Sequence, residues 1–134
     1  FYQTTTKNGE RASTSKTFLK SVINRPELTL LTQALVHKIE SQNGTATAVQ
    51  FSQEGKDVQT VKVRKEVIVS AGAIGSPKVL LLSGIGPKQH LDEVGIECIQ
   101  ELPVGQNFHL LLSFFSLKNF RLHFLYLGLL MTIV

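Results

Sequence analysis

A strand–turn–helix passage from Glu66 to Pro87, EVIVSAGAIGSPKVLLLSGIGP, constrains this chain more than any other stretch. Its β-branched run, Val67-Ile68-Val69, stops at Ser70-Ala71-Gly72, where only small side chains stand on the backbone. Apolar residues at consecutive positions predict a strand buried on both faces. Ser76 fits a helix N-cap, Pro77 the first helical position and Gly84 the residue that ends the helix. The spacing therefore predicts a helix from about Ser76 to Ser83. Alanine and glycine at a strand end let another group come close to the main chain. In an α/β protein ligands gather at such strand ends.

The remainder of the chain reads as short elements separated by turn residues. Asn8-Gly9 is a turn signal, and Ser13, Thr14 or Ser15 caps a helix carrying Phe18, Leu19, Val22 and Ile23 on one face. Arg25-Pro26 ends that helix, because the residue before proline is pushed out of helical geometry. Three strands follow: Leu28 to Glu40, Thr45 to Gln53, and Val58 to Arg64. Asn43-Gly44 and Glu54-Gly55-Lys56-Asp57 link them, which predicts an antiparallel meander. Beyond the opening passage, Pro87 opens a short helix over Lys88–Val94, closed by Gly95. Ile96 to Leu102 alternates as a strand, and Pro103-Val104-Gly105 turns it.

Composition narrows the function classes. With 134 residues the chain makes one domain or part of a larger one. Its 43% hydrophobic and 18% charged content is that of a folded protein. A net charge of +4 invites a nucleic-acid reading, but Lys and Arg are scattered and form no stripe with stacking aromatics. No nucleic-acid partner is expected. Cys98 is the single cysteine, so no internal disulfide forms, and it reads as a small buried hydrophobe in a strand. The four histidines show no metal-ligand spacing. His37 reads as solvent-facing, and His90 as a residue capping or solvating a helix start. Ser76 and Ser83 lie in no G-x-S-x-G elbow and read as a cap and a helix-end residue.

The last stretch, LLLSFFSLKNFRLHFLYLGLLMTIV, is apolar but interrupted by Lys118, Arg121 and His123. Its charge-free part, Phe124 to Val134, is shorter than the ~20 residues a bilayer helix takes. Apolar residues on all sides make a poor amphipathic pattern. Membrane or partner contact through this tail is the secondary reading. Residues 1–20 are polar and show no signal peptide, and the compartment is not fixed.

The residues also resemble a family. VIVSAGAIGSPKVLLLSGIGP is very similar to the second sequence signature of the glucose–methanol–choline (GMC) flavin oxidoreductases. Gly9-Glu10-Arg11, Arg25-Pro26-Glu27-Leu28, Val36-His37-Lys38-Ile39, His90-Leu91, Gly95-Ile96 and Leu102-Pro103-Val104-Gly105-Gln106-Asn107 agree with it in order and spacing. The polar start YQTTTKNGERAST is most similar to the glucose-dehydrogenase (FAD, quinone) branch. This resemblance implies a mixed α/β chain: an incomplete FAD-binding domain of GMC type, with a three-stranded meander and a β–α crossover. It spans residues 1–109, leaving 110–134 as an unmatched tail.

It further implies an FAD-dependent enzyme that oxidises the CH–OH group of a small alcohol or sugar. The backbone at Val36 would face the adenine, Ser70, Ala71 and Gly72 would lie against the dinucleotide, and Asn107 would stand near the cofactor. Two departures accompany these matches. The G-x-G-x-x-G fingerprint that would hold the pyrophosphate does not occur in the sequence, and the resemblance stops before the family's catalytic His. No catalytic residue is therefore expected in the chain, which alone is expected to be inactive.

Overall fold

Two Asn-Gly pairs turn the chain where the sequence places them, and both asparagines adopt left-handed φ values. The computed structural model describes residues 5–108 and 132–133. The chain divides into two compact units, Phe1–Leu31 and Thr32–Val134.

In the first unit, Asn8-Gly9 joins β1 (Thr6–Lys7) to β2 (Glu10–Arg11) as an antiparallel pair. Ser13 then starts the expected helix. Its Oγ accepts the Lys16 amide at 3.4 Å, and its carbonyl accepts the Thr17 hydroxyl at 3.0 Å. A π-helical turn, Ser15–Leu19, continues into α1, Lys20–Val22, and the helix stops short of Arg25-Pro26. The expected apolar face is only partly covered: Leu19 and Val22 are half-buried, whereas Phe18 is 72% exposed and Ile23 is exposed. A segment this short has too little surface of its own to build a core.

The second unit is organised by the meander. Strands β3 (Ala34–Gln42), β4 (Thr45–Gln53) and β5 (Gln59–Lys62) pair antiparallel in that order. The first begins later than the sequence suggests. Gln33 takes a φ of 55°, so residues 28–33 cannot run on as strand. The end of β4 holds this approach instead: Gln53 Nε2 donates to the Thr32 carbonyl at 3.0 Å and the Glu54 amide to that of Gln33 at 3.2 Å. The third strand is likewise shorter than Val58–Arg64.

Register in the hairpin explains which residues are inside. Val36 stands opposite Phe51 and Ile39 opposite Val49, although Val36 and Ile39 are an odd number of residues apart. A bulge at His37 resets the alternation, so both side chains reach the same face. With Val79 they form the core, and Val63, Val67 and Val69 pack against it. Val49 is fully buried. Each such side chain contributes about 1.5–3 kcal/mol relative to exposure.

Strand β6 (Val67–Ile68) is short and pairs antiparallel with β9 (Thr132–Ile133). It is not buried on both faces: Val67 and Val69 meet the core, whereas Ile68 is 44% exposed. No further strand flanks it among the described residues. The next helix, α2, spans Gly72–Leu82 and begins four residues earlier than expected. Ser76 is thus inside it and acts backwards, its Oγ accepting the Ala71 amide at 3.0 Å. Pro77 is also interior, where it has no N–H for the Ala73 carbonyl.

The helix ends as the sequence indicates. The Ser83 and Gly84 amides return to the last-turn carbonyls, and Gly84 takes a φ of 77°. A strand not expected from the sequence follows, β7 (Ile85–Gly86), and pairs parallel with β8 (Gln100–Glu101). The latter is much shorter than Ile96–Leu102. Between them α3 (Lys88–Glu93) opens after Pro87, closes before Gly95 and buries Leu91 completely. Cys98 lies in the irregular stretch before β8 and is half-buried, not a strand residue. The turn after Pro103 forms over residues 104–107. The fold is mixed α/β, with a three-stranded antiparallel sheet. Apart from Thr132–Ile133, the apolar tail lies outside the described residues, as do His109 and His123.

Candidate functional site

The crossing from β6 into α2 is built from backbone rather than side chains. Ser70 and Gly72 are exposed, and Ala71 is half-buried. Gly72 takes a φ of 82°, and a carbon added to it would meet nothing within 4 Å. The conformation demands glycine while the space above it stays open. The first-turn amides of α2 have no partners within the helix, and no acidic residue occupies that turn. Such an end is favourable to anionic groups. Of the nearby amides, that of Ala71 is already taken by Ser76 Oγ.

Val36 approaches this region through the core. Its side chain is buried against Phe51, Val79 and their neighbours, so only its backbone is available to a ligand. Val69, which leads into Ser70, packs against the same cluster. Asn107 is exposed and ends the 104–107 turn. That turn lies along α2: a carbon on Gly105 would stand 3.9 Å from Pro77 Cβ. The fold thus joins Val36 and Ser70–Gly72 through one core and sets the Asn107 turn beside the same helix. Among the described residues, no hydrogen bond links Asn107 to the others.

Two polar residues have roles that the sequence does not reveal. His37, the bulge residue, is half-buried rather than solvent-facing, and its Nε2 lies 2.9 Å from the Oγ of buried Ser52. Ser83 is more than a helix-end residue. Its Oγ donates to the Val79 carbonyl at 2.6 Å and accepts the Ile39 amide at 2.8 Å, tying α2 to β3. The signal for His37 was its place in a strand whose apolar residues break parity at that point. His90 is exposed in α3, with no side-chain cap bond at that helix start. No group of three or more potential metal ligands gathers among the described residues.

A family model described as GMC oxidoreductase matches residues 1–113. The chain belongs to the GMC oxidoreductase family. It is 43% identical over 106 residues to oxygen-dependent choline dehydrogenase 1 of Chromohalobacter salexigens, a match covering 78% of this chain and 19% of that protein. It is 38% identical over 117 residues to glucose dehydrogenase [FAD, quinone] of Drosophila pseudoobscura pseudoobscura, covering 85% of this chain and 19% of the relative. The chain thus spans about one fifth of the length of these relatives.

Solved structures agree. An FAD-dependent oxidoreductase from Chaetomium thermophilum superposes with a TM-score of 0.66 at 36% identity, over 69% of this chain and 16% of its own. Pyridoxine 4-oxidase from Mesorbium loti gives the same TM-score at 29% identity, over 73% of this chain and 19% of its own. The meander and the crossing are therefore parts of a GMC oxidoreductase fold.

Proposed function

We propose that this chain forms part of the FAD-binding region of an enzyme that oxidises a small alcohol or sugar at a CH–OH group. The observation that carries this reading is the open, small-residue crossing at Ser70–Gly72, with a first helical turn free of acidic residues. FAD, when bound, supplies the acceptor for the hydride that leaves the alcohol carbon. The chain's own residues bind and orient. The backbone of Ser70, Ala71 and Gly72 lies against the dinucleotide, the backbone of Val36 meets the adenine, and Asn107 approaches from the turn beside Pro77.

Alone, the chain holds FAD weakly and does not turn over. His37 is engaged by Ser52, and His90 is exposed on α3, so neither is assigned to proton removal. The reading as a non-catalytic interaction or membrane-associated module rests on the 110–134 tail. Among the described residues no helix is long and apolar enough to cross a membrane.

An amide-resolved NMR titration of the chain with FAD tests the assignment. Shifts are expected to concentrate at Val36, Ser70–Gly72 and Asn107, without dye reduction when an alcohol is added. Shifts gathered elsewhere, or absent, would overturn it.

A further inference from the structure

We infer that Ser83 is a positioning residue for the cofactor: its hydroxyl sets the placement of α2 relative to β3, and with it the two backbone stretches that share the dinucleotide. The inference rests on the FAD reading above. Ser83 is only 5% exposed and sits far from Ser70–Gly72, at the opposite end of α2. It touches no proposed ligand atom, so its effect passes through the helix and the strand.

The clamp is specific on both sides. On the strand side it takes the amide of Ile39, three residues from Val36. Ile39 belongs to β3, which among the described residues has β4 on one edge and no strand on the other. Its N–H would otherwise be an orphan at a covered sheet edge. On the helix side the same oxygen donates to the carbonyl of Val79, a residue packed in one cluster with Val36 and Ile39. One hydroxyl thus uses its donor and an acceptor site to join a helix turn to a strand.

The neighbouring residues prevent that joint from sliding. A carbon on Gly84 would stand 2.5 Å from the Glu97 carbonyl oxygen, so the chain immediately after Ser83 is hemmed in by backbone. Further up the helix, Pro77 leaves the Ala73 carbonyl without its usual partner, so the amino half of α2 is weakly tied by its own ladder. A fixed reference at the Ser83 end is what keeps Ala71 and Gly72 in step with Val36. A purely stabilising hydroxyl would satisfy the Ile39 amide without affecting ligand affinity, and the experiment separates the two.

The isotope-labelled chain is compared with Ser83→Ala and Ser83→Thr, reading amide exchange and FAD-induced shifts. Ser83→Ala is expected to speed exchange at Ile39 and to raise the FAD dissociation constant about tenfold, the effect of roughly one hydrogen bond. Ser83→Thr keeps the hydroxyl and is expected to restore affinity to within about twofold, since a helical Thr also bonds a carbonyl one turn back. Should the alanine variant not fold, Ser83→Cys takes its place, with a sulfur that bonds weakly.

Fast exchange at Ile39 with unchanged FAD affinity would overturn the positioning role, as would a threonine variant no better than alanine. If FAD shifts no amide of the unsubstituted chain, the cofactor reading itself has failed. If it shifts the unsubstituted and alanine chains alike, only the role of Ser83 has.

Discussion

The β3–β4 hairpin closes through Asn43-Gly44, whereas β6 finds its ladder partner far along the chain at Thr132–Ile133. Both regions contribute to one core, yet they differ in what holds them. The hairpin supplies Val36, Ile39, Val49 and Phe51 from strands that meet through a two-residue turn. The crossing supplies only Val67 and Val69, from a two-residue strand and the residue after it, with Ile68 turned outward. Closing a short loop costs little entropy, so the hairpin forms from its own residues. Strand β6, two residues long, instead depends on a partner from far along the chain. The hairpin that holds the core together is therefore distinct from the small-residue crossing proposed to lie against the dinucleotide, although it carries Val36.

Substitutions break this contrast most directly in the hairpin. Phe51→Ala removes a large buried ring opposite Val36 in the core, and is expected to cost about 3–5 kcal/mol, read by urea denaturation. A loss under about 1 kcal/mol would mean that the hairpin is not the organising element. Next comes Gly84→Ala, at the joint between α2 and β7. The added carbon would press on the Glu97 carbonyl from a left-handed conformation, so a loss above about 2 kcal/mol is expected in the same assay.

The same contrast explains what was legible in the sequence. The boundaries of β4 and the end of α2 were readable, because Asn43-Gly44, Glu54-Gly55 and Ser83-Gly84 act locally. The start of α2 was not. Ser76 and Pro77 resemble a cap and a first position, but Gly72 already turns the chain, and the helix begins there with Ser76 reaching back to Ala71. The left-handed Gln33 that shortens β3 carries no sequence signal of its own. The parallel pair β7–β8 was invisible for a related reason, since Ile85-Gly86 becomes a strand only through residues brought to it by α3. Of the candidate site, the small residues at the crossing were evident from spacing, whereas Val36 and Asn107 came from family resemblance alone. Ser83 and His37 have their roles only once two elements meet.

At the crossing, effects on stability and on binding are expected to part. Gly72→Val forces a β-branched residue into positive φ, which costs about 1–2 kcal/mol, but its side chain enters open space and leaves the core intact. FAD-induced shifts at Ser70–Gly72 should vanish, because the added atoms stand where the dinucleotide would lie. Shifts retained at Ser70–Gly72 would show that the ligand does not occupy the open space above Gly72.

The smallest effect is expected at Ile68, within the same strand whose neighbours pack inward. Thr keeps the β-branch and the strand preference, and only apolar surface that is already partly in solvent is lost. Ile68→Thr should therefore change stability by no more than about 0.5 kcal/mol. Val67 and Val69, on either side, meet the core. A loss at Ile68 comparable with that of a buried residue would mean that both faces of β6 are covered. The crossing would then be held as firmly as the hairpin, and the division between a self-sufficient hairpin and a dependent crossing would collapse.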